Sequence, residues 1–104
     1  RGTGYVIDFT QGTVFLVSSS TSYNIYLPTA SDVAFMFGYT TLPSNFGYVF
    51  TLVFSYNCES RITIKSVRNS NGDLQDYAIA KGDSLTLLCS NYPSFHYQVL
   101  NHHA

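Results

Sequence analysis

Charge is what this chain has least of. Its 104 residues include five Lys or Arg and six Asp or Glu, 11% charged with a formal net charge of -1, where an ordinary soluble domain carries roughly a quarter. The basic residues Arg1, Arg61, Lys65, Arg68 and Lys81 form no dense run, so the phosphate-neutralising patch of a nucleic-acid binder is missing. Long apolar runs are missing too. No stretch approaches the roughly 20 residues of a membrane-spanning helix, and no membrane insertion is expected. The Arg-Gly-Thr-Gly start lacks the apolar core of a signal peptide, which makes a segment excised from something longer the expectation. Cysteine occurs twice. Cys58 falls in a polar, turn-like stretch and Cys89 ends an apolar strand pattern, which leaves a disulfide and two unpaired thiols both open.

Ser, Thr, Asn and Tyr must then supply most of the polar surface. Such a surface hydrogen-bonds well but repels its own copies weakly, which favours self-association. At 104 residues the chain encloses one hydrophobic core, giving a single domain over residues 1–104. Apolar residues recur at every second position or in short runs, and β-branched and aromatic types dominate them. Eight strands are predicted: Tyr5–Phe9, Thr13–Ser18, Tyr23–Leu27, Tyr48–Ser55, Arg61–Val67, Tyr77–Ile79, Ser84–Ser90 and Phe95–Leu100. Turn residues such as Asn71-Gly72-Asp73 and Lys81-Gly82-Asp83 separate them. The expected class is all-β, an antiparallel sandwich or jelly-roll-like barrel. Between Pro28 and Phe46 one short helix is allowed, capped by Ser31 or Asp32, with Phe35, Met36 and Phe37 either closing the barrel end or standing in an exposed loop.

Alternation assigns faces. Ile62 and Ile64 point inward while Arg61, Thr63 and Lys65 point outward. In the strand from Tyr48 both faces are largely apolar: Tyr48, Phe50, Leu52 and Phe54 on one, Val49, Thr51, Val53 and Ser55 on the other. Val14 and Leu16 likewise oppose Phe15 and Val17. A single core cannot cover both faces, so another layer or another subunit is needed. The candidate interface residues are Val49, Thr51, Val53, Phe15 and Val17.

The residues of a catalytic centre do not emerge. His102 and His103 are neighbours near a chain end and point to opposite sides of an extended segment, so they converge on a metal only as a ring built from several subunits. Asp73 and Asp83 sit in turns where a carboxylate accepts backbone N–H groups, and Asp8, Asp32, Glu59 and Asp76 show no pairing by spacing. No nucleophile elbow or phosphate-cradling loop is present. The expectation is no enzyme, no cofactor and no metal. Nine tyrosines offer flat faces with a hydroxyl, suited to sugar rings and protein interfaces. Of these Tyr39, Tyr56 and Tyr92 lie in or beside predicted loops and are the candidate ligand-binding surface, with core-edge packing as the ordinary alternative.

The order of motifs carries a resemblance. Tyr26-Leu27-Pro28-Thr29-Ala30-Ser31 is followed by Gly47-Tyr48-Val49-Phe50-Thr51-Leu52 and by Arg61-Ile62-Thr63-Ile64. Lys81-Gly82-Asp83-Ser84-Leu85-Thr86-Leu87-Leu88-Cys89-Ser90 and Tyr97-Gln98-Val99-Leu100 complete the series. Over about positions 23 to 100 this resembles the small β domains of viral and bacteriophage fibre and tail proteins. The connection from Ala34 to Phe46 departs from the pattern by its length, and Phe95-His96-Tyr97 stands where a Trp is frequent. The resemblance implies a homotrimer at the virion surface, the C-terminal head of a longer fibre chain, engaged in host attachment to a glycan or protein receptor or in capsid decoration. A monomeric carbohydrate-binding module of a secreted protein is the alternative.

Overall fold

The computed structural model describes residues 7–17, 23–56, 62–69 and 71–103. A 3-10 turn at Phe9–Gln11 leads into strand β1 (Val14–Val17), followed by β2 (Tyr23–Ile25), helix α1 (Ala30–Met36) and β3 (Gly47–Phe54). The chain continues through β4 (Ile62–Arg68), β5 (Leu74–Ile79), β6 (Ser84–Ser90) and β7 (His96–His103). The strands make one curled sheet in the order β1-β3-β6-β7-β4-β2, with β5 pairing β4. The all-β class expected from the alternation is the class observed. The expected antiparallel pairing holds for only half of the ladders, because alternation marks faces and says nothing of strand direction: β3–β6, β4–β5 and β6–β7 run antiparallel, while β1–β3, β2–β4 and β4–β7 run parallel.

Seven strands stand among the described residues where eight were expected. In the first expected strand, Tyr5 and Val6 lie outside the described residues and Phe9 is in the 3-10 turn. Asp8 caps that turn, its Oδ1 accepting from the Thr10 amide at 3.0 Å and the Thr10 hydroxyl at 2.6 Å, and a local carboxylate partner of this kind competes with a strand ladder. β5 begins at Leu74 rather than Tyr77, and β7 runs on to His103.

Helix α1 starts one or two residues before the expected caps. Thr29 is its N-cap: the Thr29 hydroxyl accepts from the Asp32 amide at 3.2 Å and the Asp32 carboxylate accepts from the Thr29 amide at 3.1 Å, a reciprocal capping box. Val33 and Ala34 are buried, Met36 and Phe37 pack against the core, and Phe35 stands in solvent. The segment thus closes the end of the barrel with two of its three large side chains.

The core fills the inside of the curl. β3 contributes Phe50, Leu52 and Phe54, β6 contributes Leu85, Leu87 and Cys89, and β4 contributes Ile62, Ile64 and Val67, all buried. Phe9 joins them from outside the sheet, with ring centroids 4.7 Å from Phe50 and 4.9 Å from Tyr48. Burying each such aromatic is worth roughly 2 kcal/mol. Tyr97 of β7 reaches across the interior and donates its hydroxyl to the Pro28 carbonyl at 2.7 Å, which ties the segment before α1 to the last strand.

Candidate functional site

Register and burial together define the outer face of the sheet. Val14 pairs with Thr51 and Leu16 with Val53, while Val49, Thr51 and Val53 pair with Leu88, Thr86 and Ser84. Paired residues share a face. The outward side chains of β1, β3 and β6 therefore include Val14, Leu16, Val49, Thr51, Val53, Ser84, Thr86 and Leu88, and none carries charge. Val14 is 60% exposed, Leu16 75% and Val49 49%. At the centre, the Thr51 and Thr86 hydroxyls hydrogen-bond to each other at 3.1 Å, which lowers the cost of taking them out of water.

Two of the five expected interface residues belong elsewhere. Val17 is 2% exposed and Phe15 packs on the core beside Phe9 and Phe50, so both point inward. Their neighbours Val14 and Leu16 hold the outward positions. Alternation separates two opposed sets in β1 without saying which of them faces the core. Each set is wholly apolar, so composition could not separate them; the parallel register with β3 does.

β1 also ends the sheet. Among the described residues no strand lies beyond it. The Thr13 and Val17 carbonyls turn toward β3, accepting from the Thr51 and Ser55 amides at 2.8 Å each, so by alternation the peptide groups of Val14 and Leu16 turn away from β3. At the lower end of this face a hollow of about 590 Å³ is lined by Leu16, Val17, Val53, Phe54, Ser55, Tyr56 and Gly82.

The three candidate tyrosines are all exposed, Tyr39 at 44%, Tyr56 at 85% and Tyr92 at 72%, but they do not form one platform. Gly47 pairs with Ser90 at one end of the β3–β6 ladder and Val53 with Ser84 at the other. Tyr92 follows Ser90 and Tyr56 follows Phe54, which separates them by the ladder's length, roughly 20 Å. Tyr39 leans edge-on against Phe46, with centroids 6.3 Å apart.

Several of the titratable groups are engaged locally. The Asp83 carboxylate accepts from the Ala80 amide at 3.2 Å and lies 3.1 Å from His102 Nε2, and the hydrogen bond with His102 leads in holding its pKa below the ordinary carboxylate value. In the other expected acidic turn the acceptor is Asn69, whose Oδ1 takes the Asn71 and Asp73 amides. Asp76, unpaired by spacing, bonds Lys65 across the β4–β5 ladder at 2.8 Å, a partnership only register reveals. Burial pushes the Cys89 thiol up to about 11. Cys89 is a free thiol; Cys58 and Glu59 lie outside the described residues. His102 and His103 extend β7 beyond the expected strand end at Leu100, and among the described residues no three His, Cys, Asp or Glu side chains converge as a metal site.

No family model, curated protein or solved structure matches this chain.

Proposed function

We propose that this domain is a structural and adhesive module that assembles with copies of itself through the outer face of β1, β3 and β6, in the manner of a virion fibre or tail protein presenting a host-attachment surface. The observation that carries the reading is that face: exposed Val14, Leu16 and Val49 around a core of self-bonded threonines, with no charge. A second copy of the chain suits it because it offers the same uncharged surface and the same low overall charge. Three strands about five residues long make a plane on the order of 250 Å², whereas stable association takes about 800 Å² per partner. The interface therefore extends over the β1 edge and the hollow beside Tyr56. A trimer is the assembly that the fibre resemblance implies.

The monomeric carbohydrate-binding reading is weaker, because Tyr56 and Tyr92 stand at opposite ends of the β3–β6 ladder and no single sugar reaches both. Light scattering coupled to size exclusion tests the proposal. A defined oligomer is expected for the native chain, and Leu16→Asp or Val49→Asp should convert it to monomer with the strand signal in circular dichroism retained. A native chain that stays monomeric at every concentration sinks the assembly reading.

A further inference from the structure

The parallel strands β4 and β7 share one register pair, Arg68 with Gln98, and then part. Where they part, a groove of about 260 Å³ opens between the segment following β2 and the start of β7. Flat side chains line it, Tyr26 and Pro28 on one side and Phe95 and His96 on the other, and Lys65, Ser66 and Arg68 add its polar groups, two of them cations.

The cations are there because of a bulge. Residues three apart on a regular strand lie on opposite faces, yet Lys65 and Arg68 both line the groove. Ile64 pairs with Tyr77 and Val67 with Gln75, so Lys65 and Ser66 together oppose Asp76, and the extra residue resets the alternation. Ser66 takes a left-handed backbone at φ 59°, and the Asp76 carboxylate holds it there by accepting the Ser66 amide at 2.8 Å.

The walls are braced as well. Tyr97 bonds the Pro28 carbonyl on one wall at 2.7 Å and stands at 84° to the Phe95 ring on the other, centroids 5.5 Å apart. Lys65 already has a carboxylate partner in Asp76. Arg68 has none among the described residues; one of its guanidinium nitrogens donates to the Gly72 carbonyl at 2.9 Å, leaving further N–H groups for a ligand. A braced groove with aromatic walls and an unneutralised guanidinium matches a ligand that is flat on one side and anionic at one end.

We propose that this groove binds a small organic anion, a carboxylate borne on a ring, with the carboxylate on Arg68 and the ring against Phe95 and Tyr26. The inference is independent of the assembly reading. An acidic sugar and an aromatic acid share this chemistry, and the test separates them. In a two-dimensional amide NMR titration with glucuronate and with benzoate, at least one should give saturable shifts at residues 66–68 and 95–97, while glucose, benzyl alcohol and inorganic sulfate should not. Arg68→Gln should weaken binding about tenfold or more with the spectrum otherwise retained. Phe95→Leu, which keeps an apolar side chain there, should weaken ring recognition. The acid that saturates identifies the source. The proposal is overturned if neither acid gives saturable shifts, if sulfate alone reproduces them, or if Arg68→Gln binds as the native chain does.

Discussion

The Asp76 carboxylate takes over, at the bulge between β4 and β5, the task of a ladder carbonyl: its Oδ1 accepts the Ser66 amide and its Oδ2 the Lys65 ammonium, each at 2.8 Å. Hydrogen bonding to Lys65 leads the lowering of the Asp76 pKa, with the Ser66 amide adding to it. A carboxyl group with a depressed folded pKa contributes stability above its unfolded value, and that contribution is lost as pH falls through the folded one. Asp76→Ala should therefore speed exchange of the Ser66 amide roughly tenfold at neutral pH. The difference between variant and native chain should shrink once the solution is acidified below the ordinary carboxylate range. Hydrogen-exchange NMR at both pH values checks this.

Leu16 and Val17 are chain neighbours with opposite fates. Val17→Ala should cost about 2 kcal/mol in chemical denaturation, because its methyl groups lie in the core. Leu16→Ser should change the stability of the isolated subunit by less than about 0.5 kcal/mol. Equal losses would overturn the placement of these two side chains on opposite faces.

Tyr97→Phe removes the hydroxyl that reaches Pro28 and leaves that carbonyl without its donor. The expected loss is about 1 to 2 kcal/mol, measured by urea unfolding. Burial raises the Tyr97 pKa well above the ordinary phenol value. In a spectrophotometric titration of the native chain Tyr97 should therefore stay protonated above the ordinary phenol range and ionise only on unfolding.

Cys89 should resist alkylation in the native state at pH 8, because burial raises its pKa to about 11 and the thiolate is the reactive form. A thiol whose folded pKa is raised contributes stability below its unfolded value, and that contribution fades as pH climbs through the folded one. Peptide mapping after iodoacetamide treatment, with and without urea, reads the site apart from Cys58.

The β class, most strand positions and the turns at Gly72 and Gly82, whose backbones are left-handed, were legible because period-two alternation and turn chemistry are local signals. Pairing was not. Nothing in Val14–Val17 announces a parallel partner in β3, and without that register the inward side of an all-apolar strand cannot be told from the outward one. The same limit hid the Lys65–Asp76 pair and the groove beside it. Lys65 and Arg68 look opposed by strand counting, and only the bulge at Ser66 brings them to one side.

The order in which strands pair also bears on how the chain matures as it leaves the ribosome. Up to Arg68 the described ladders are β1–β3 and β2–β4, both parallel and both joining strands distant in sequence. The antiparallel ladders β3–β6, β4–β5 and β6–β7 all need a strand from β5 onward. An emerging chain must therefore wait for its last third before it can close, keeping its apolar strands exposed to neighbouring nascent chains, and ribosomes translating one message side by side would bring such half-made copies together.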